Sequence, residues 1–187
     1  MATISFSTVS GSFSCEKEHS DKVGKKVIGN GETVIGGIVG GGDTGNISNS
    51  TNYATIYGGY TVGGIAGNTG GTIQNCYSYG SIIYNYKYSD HDCIGGIAGS
   101  GDRATISGCV VTAEITISIK DWESRTYQPY VGTVVGSLYQ GTISGNTTTD
   151  AVINANNLNA DVSWWSWFVT YHFNQQEYVK DGAGYTY

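Results

Sequence analysis

Apolar and small residues recur along the middle of the chain in the same order four times. A pair of small residues comes first, then an apolar residue, then a glycine two positions later. A second apolar residue follows eight or nine positions after the first, and a third follows nine positions after the second. In the second copy these apolar residues are Ile65, Ile73 and Ile82. Three apolar columns separated by glycine or small polar residues predict about three short strands per repeat.

Two glycine columns fix the register of the four copies. The first contains Gly36, Gly63, Gly95 and Gly132, and the second contains Gly40, Gly67, Gly99 and Gly136. The three apolar columns contain Ile38, Ile65, Ile97 and Val134, then Ile47, Ile73, Ile106 and Ile143, then Ile56, Ile82, Ile115 and Val152. Such short strands bury apolar surface only when equivalent strands stack, so we predict an all-β fold, a β-solenoid (parallel β-helix) with about three strands per coil. The glycines are expected at corners that need a positive φ or a close backbone approach.

The repeats divide the chain into three parts. Residues 1–33 are predicted to be an N-terminal cap or partial coil with a charged loop, and residues 34–156 to form the four coils. Residues 157–187 are predicted to be an aromatic cap or association strand, because the open end of a solenoid exposes a strand edge and a core cross-section. The large aromatic residues assigned to this role are Trp164, Trp165, Trp167, Phe168 and Phe173.

Composition and charge narrow the range of partners. The chain contains 29 Gly, 15 Tyr and one Pro, and its formal net charge is −6. An acidic chain is poorly suited to neutralising phosphates, so we expect no nucleic-acid partner. No apolar run is long enough for a membrane helix, and the first residues lack the basic start and apolar core of a secretion signal. We therefore expect a trimmed N-terminus, another export route, or a protein that stays inside the cell.

The repeat unit resembles a known family. Val62-Gly63-Gly64-Ile65-Ala66-Gly67, followed by Gly71-Thr72-Ile73-Gln74-Asn75-Cys76, is similar to the GLUG repeat of bacterial surface proteins. The resemblance covers about residues 34–154 and is best in copies two and three, whereas copy four has Thr133 for the second glycine and Asn146 for the cysteine. It implies adhesive or structural work at the cell surface or outside the cell, and it brings no catalytic residue.

Two cysteines belong to the repeat. Cys76 and Cys109 occupy the same position in copies two and three, so stacked coils would make them direct neighbours. Two interpretations stay open, an inward ladder of small apolar side chains or a disulfide between coils.

The copies differ in length at a single place. From the first glycine column to the third apolar column they have 20, 19, 20 and 20 residues, but from there to the next glycine they have 7, 13 and 17. Insertions in solenoids collect on one face, which is often the binding face. The residues predicted there to bind a ligand are Tyr57, Tyr60, Tyr84, Tyr86, Tyr88, Trp122, Arg125, Tyr127 and Tyr130. Rings beside charged groups suit carbohydrate or protein recognition, but they also serve to fold loops onto the next coil.

We expect a non-enzymatic adhesive or structural module that binds a glycan or a surface protein. One alternative is a self-assembling homo-oligomeric subunit of a filament, virus or tail fibre, joined through its coil ends and its aromatic strand. The other is a polysaccharide-acting enzyme, favoured only by acidic and basic residues at the insertions. Asp90, His91 and Asp92 are not expected to bind a metal, because adjacent residues of a strand point to opposite sides. We predict no cofactor, metal or catalytic residue.

Overall fold

The structure, a computed structural model, describes residues 2–5, 7–9, 12–14, 34–42, 45–58, 60–86, 92–119, 130–148, 150–157 and 183–186. In this part of the chain the regular structure is entirely β, and the strands pair in parallel with equivalent strands of neighbouring coils. The predicted fold class, an all-β parallel β-solenoid, is confirmed.

The strands of the described ranges form five parallel sheets along the solenoid, and each sheet takes one strand from successive coils. We label the sheets A to E, and within one coil the chain passes through them in the order D, E, A, B and C. Sheet D contains β4 (Val34–Gly36), β9 (Thr61–Gly63), β14 (Cys93–Gly95) and β19 (Tyr130–Gly132). Sheet E contains β5 (Val39–Gly42), β10 (Ala66–Thr69), β15 (Ala98–Asp102), β20 (Val135–Tyr139) and β23 (Ala183–Thr186).

The other three sheets begin with the N-terminal strands. Sheet A contains β1 (Ala2–Ser5), β6 (Gly45–Ser48), β11 (Thr72–Gln74), β16 (Thr105–Ser107) and β21 (Thr142–Ser144). Sheet B contains β2 (Thr8–Val9), β7 (Thr51–Asn52), β12 (Tyr77–Ser78) and β17 (Val110–Val111). Sheet C contains β3 (Ser12–Ser14), β8 (Thr55–Tyr57), β13 (Ile82–Tyr86), β18 (Glu114–Ile119) and β22 (Val152–Asn157).

A coil therefore has five short strands where the sequence predicted about three. Bends divide the longer extended stretches: Gly64 and Ile65 separate β9 from β10, and Asn75 separates β11 from β12. The second bend has a left-handed residue, since φ of Asn75 is 53°. The apolar columns mark sheets A and C and the bend between sheets D and E, and they miss sheets B, D and E.

Equivalent isoleucines stack as the repeat predicts. Ile73 pairs in register with Ile47 on one side and Ile106 on the other. Ile82 does the same with Ile56 and Ile115. The paired glycines also align, since Gly63 lies opposite Gly36 and Gly95. These rows form the core of the solenoid.

The predicted membership of Val152 in the third apolar column is wrong. Ile115 pairs with Ile153, while Val152 lies opposite Glu114 and is 48% exposed. The shift arises from one extra residue. Thr147 pairs with Val110, but Val152, five residues after Thr147, lies opposite Glu114, which is only four residues after Val110. A turn at Asp150 takes up the additional residue.

The described residues form two buried apolar clusters. One surrounds Ile65, Ile73 and Ile106, and the other surrounds Ile56, Ile82 and Ile94. Gly64 lies against Ser78 so closely that a Cβ on the glycine would overlap the serine Oγ and the carbonyl oxygen of Gly96. Gly96 lies in the same way against Val111 in the next coil. These glycines have no positive φ, so close backbone approach is the reason for them.

Both chain ends add strands to the stack. β1, β2 and β3 pair with β6, β7 and β8, and Ile4 extends the Ile47 row. At the other end β23 pairs with β20, with Ala183 opposite Val135. Residues 183–186 thus resume the solenoid after the aromatic stretch that was predicted to end it. Trp164, Trp165, Trp167, Phe168 and Phe173 lie outside the described residues.

Candidate functional site

Apart from the single extra residue before β22, the insertions fall between sheet C and sheet D. Residues 58–60 connect β8 to β9, residues 87–92 connect β13 to β14, and residues 120–129 connect β18 to β19. Because β8, β13 and β18 are hydrogen-bonded neighbours, as are β9, β14 and β19, the three segments leave and re-enter the solenoid side by side. We call this edge of the molecule the insertion corner.

The predicted ligand-binding tyrosines occupy different environments at this corner. Tyr57 is 40% exposed, and Tyr60 and Tyr130 are half-buried. Tyr84 is only 3% exposed and packs in the core cluster around Ile82, so it presents no ring to a ligand. The side chain of Tyr86, together with Tyr88, Trp122, Arg125 and Tyr127, lies outside the described residues.

A buried carboxyl lies at the base of the second insertion. Asp92 is 2% exposed, its Oδ2 accepts a hydrogen bond from the Tyr84 hydroxyl, and its Oδ1 has no partner among the described residues. Burial disfavours the charged form and raises the pKa of Asp92 to about 8. The carboxyl faces protein and not solvent, so it offers no surface to a polysaccharide substrate.

Backbone hydrogen bonds hold successive coils together at the same edge. The amide of Cys93 donates to the carbonyl of Tyr60 at 3.0 Å, and the amide of Tyr130 donates to that of Asp92 at 2.7 Å. Burial, and then the nearby Asp92 charge, raise the pKa of the Cys93 thiol to about 12. Backbone hydrogen bonds therefore join the coils where the insertions return to the solenoid, and the Cys93 thiol there is disfavoured as a thiolate.

Within the part of the chain that the structure describes, no three His, Cys, Asp or Glu side chains come together in a way that could hold a metal ion. Asp90 and His91 are not in that part. The described stretches also contain no helix that is long and apolar enough to cross a membrane.

The repeated cysteines are buried neighbours and are not joined in a disulfide. Cys76 and Cys109 are fully buried free thiols at equivalent positions of two neighbouring coils, between sheets A and B. The Cys76 sulfur lies 3.4 Å from the carbonyl oxygen of Gln74, and the Cys109 sulfur lies 3.4 Å from that of Ser107. The hydrogen bond between the two thiols, and then burial, raise the pKa of Cys109, and the same hydrogen bond lowers the pKa of Cys76. Both cysteines act as packing residues here.

Three exposed tyrosines on the next side of the coil were missed by the sequence analysis. Tyr53 and Tyr79 lie in register on adjacent coils, with ring centroids 5.1 Å apart and ring planes within 11°. Tyr77 stacks on Tyr79 with centroids 6.1 Å apart and planes within 9°. We call these three residues the tyrosine ladder. The repeats could have revealed this stacking, because Tyr53 and Tyr79 occupy the same repeat position, three residues after Ser50 and Cys76 respectively.

Comparison with models of protein families, with curated proteins and with solved structures gives no match. A function proposed for this chain therefore rests on its own residues.

Proposed function

We propose that the chain is a non-enzymatic adhesive β-solenoid module of the GLUG type, which works at a cell surface or outside the cell and binds a glycan or a surface protein through the insertion corner. The observation that carries the proposal is the contrast within each coil. Strands keep their register from coil to coil, while the segments 58–60, 87–92 and 120–129 lengthen at one edge.

The physical basis of the proposal is the division between scaffold and loops. Parallel coils with buried isoleucine rows supply a rigid frame, and a rigid frame lowers the entropic cost of presenting binding loops. The insertions are rich in Tyr, Trp and charged residues, which give large contact area with polar ends. Tyr57 is a described member of this group with an exposed ring.

Binding to an array of glycans and of bacterial and host surface proteins tests the proposal. Trp122→Ala combined with Tyr86→Ala is expected to remove the signal, because both substitutions take aromatic contact area from the insertions. Tyr139→Ala is the matched control, since Tyr139 is 43% exposed on sheet E. Equal binding by the double variant and the wild type would end the assignment of the corner.

A second candidate function is self-assembly into a filament. In the described residues each of the five sheets ends, on both sides, in a strand that has one hydrogen-bonded neighbour. Such edges are templates for another chain unless something covers them. Negative-stain microscopy and light scattering test this candidate: regular fibres support it, and a stable monomer at micromolar concentration removes it.

A further inference from the structure

The tyrosine ladder is an aromatic surface held on an ordered backbone. The amide of Tyr77 donates to the carbonyl of Ser50 at 2.9 Å, and the amide of Tyr79 donates to that of Asn52 at 2.8 Å. Stacking hides part of each ring, yet Tyr53 remains 53% exposed, Tyr79 40% and Tyr77 38%. Three large rings that stay partly open to solvent in a fixed arrangement form a contiguous patch of the kind that marks a binding surface.

The neighbours of the ladder indicate what kind of ligand fits. The outward positions beside the rings are the half-buried hydroxyl residues Thr51, Thr55 and Ser81. In the next coil the position of Ser81 is taken by Glu114, which already accepts a hydrogen bond from Asn154 at 2.6 Å. Of the described residues Arg103 is the only basic one, and it pairs with Asp102 at 3.2 Å on another side of the coil.

This chemistry matches an uncharged sugar polymer better than other partners. Pyranose rings have apolar C–H faces that pack on aromatic rings and hydroxyls that bond to threonine, serine and tyrosine oxygens. An anionic polymer needs cations, which the described surface around the ladder does not supply. The ladder also spans two coils, so several rings can contact one extended chain.

We propose that Tyr53, Tyr77 and Tyr79 form a stacking platform for a neutral polysaccharide, separate from the insertion corner. The inference deepens the proposed adhesive function and rests on it, since it names the ligand class and adds a second contact surface. Tyr79 is the central residue because it stacks on both of the others.

Affinity electrophoresis tests the platform with hydroxyethyl cellulose, xylan, laminarin and dextran as neutral polymers and alginate and heparin as anionic ones. We expect at least one neutral polymer to retard the wild type and both anionic polymers to leave it unchanged. Tyr79→Ala should weaken the interaction about tenfold, which is the upper end for loss of aromatic stacking. Tyr79→Phe keeps the ring and should stay within about twofold of wild type, as should Tyr139→Ala.

Several outcomes overturn the platform. These are retardation by no neutral polymer, an unchanged affinity of Tyr79→Ala, or retardation by alginate or heparin alone. A wild-type dimer that Tyr79→Ala converts to a monomer, with glycan binding intact, would assign the ladder to contact between copies. Circular dichroism and thermal melting check that Tyr79→Ala is folded, and Tyr53→Ala and Tyr77→Ala supply independent arms if it is not.

The two proposals fail in different ways. If Trp122→Ala with Tyr86→Ala abolishes binding while the ladder variants bind like wild type, the platform is removed and the corner stands. If the ladder variants lose binding while the corner variant keeps it, the corner is removed and glycan adhesion stands.

Discussion

The Tyr84 hydroxyl donates a hydrogen bond to Oδ2 of Asp92 across the base of the second insertion. Tyr84 lies in β13, where the chain leaves one coil, and Asp92 directly precedes β14, where it enters the next. The second carboxyl oxygen of Asp92 is buried and has no partner among the described residues. Because burial disfavours the carboxylate, the pKa of Asp92 is raised from 3.8 to about 8, and the group is protonated in the folded protein at neutral pH.

The raised pKa predicts that Asp92 makes the protein less stable as pH rises. The unfolded chain loses this proton near pH 3.8 and the folded chain only near pH 8, so the folded state binds more protons in between. The contribution of Asp92 is fully present below pH 3.8 and falls by about 1.4 kcal/mol per pH unit until the folded group ionises. Urea unfolding at intervals from pH 5 to pH 9 measures it.

The Asp92→Asn variant isolates this effect, because its side chain is neutral at every pH. We expect the free energy of unfolding of the wild type, relative to Asp92→Asn, to fall between pH 5 and pH 8. Asp102→Asn is the control for loss of an exposed carboxyl, since the Asp102 side chain is 59% exposed. Parallel profiles for wild type and Asp92→Asn would show that Asp92 is not protonated in the fold.

Much of the fold could be predicted because its determinants repeat. Gly63 and Ile73 recur at fixed positions, and stacking them in register follows from their spacing. The shift from Val152 to Ile153 could not be read in the same way, because both are apolar β-branched residues and only the pairing to Glu114 and Ile115 distinguishes them. The sequence analysis missed β23 because Ala183 and Gly184 match only the last two residues of the Val-Gly-Gly-Ile-Ala-Gly motif, and they follow a long stretch without that motif.

The candidate site was harder to predict because it depends on side-chain direction. Tyr84 was assigned to the binding surface by its position near an insertion, although it lies two residues after the inward Ile82 and the alternation of a strand turns it inward as well. Tyr79 was overlooked because its neighbour in the next coil is Thr112, so no tyrosine column runs through all the copies.

Gly64→Ala is expected to destabilise the protein by about 2 kcal/mol, the usual range for overpacking. The added Cβ would overlap Ser78 Oγ and the carbonyl oxygen of Gly96, and one of these is backbone that pairs with the next coil. Gly42→Ala is the control, because a Cβ there meets no atom within 4 Å. Urea unfolding compares the two, and equal stability of both variants would contradict the close packing of Gly64 against Ser78 and Gly96.

The buried thiols should be unreactive in the folded protein. Cys76, Cys93 and Cys109 are all buried, so a reagent in solution does not reach them in the folded protein. The pKa of Cys93 and Cys109 is also raised, whereas the hydrogen bond with Cys109 lowers the pKa of Cys76, so the protection of Cys76 rests on its burial. In a Cys15→Ser background, Ellman's reagent should titrate no thiol under native conditions and three in guanidinium without reductant. A value of one in guanidinium would reveal a disulfide and overturn the packing role of the Cys76 and Cys109 pair.

A column of left-handed residues gives the last prediction. Asn49, Asn75, Gly108 and Gly145 stand at the same place in the four coils, at the bend between sheets A and B, with φ of 50°, 53°, 63° and 62°. Side chains with a Cβ are strained there by about 1 to 2 kcal/mol, asparagine less than most. Asn75→Ala should therefore lower the free energy of unfolding by about 1 kcal/mol, whereas Asn75→Gly should leave it unchanged or raise it. Gln74→Ala is the control for loss of a polar side chain, because Gln74 is exposed and directly precedes Asn75 at the end of β11. If Asn75→Ala is as stable as Asn75→Gly, the bend relaxes to a negative φ. A left-handed residue would then not be needed to turn the chain from sheet A towards the tyrosine ladder.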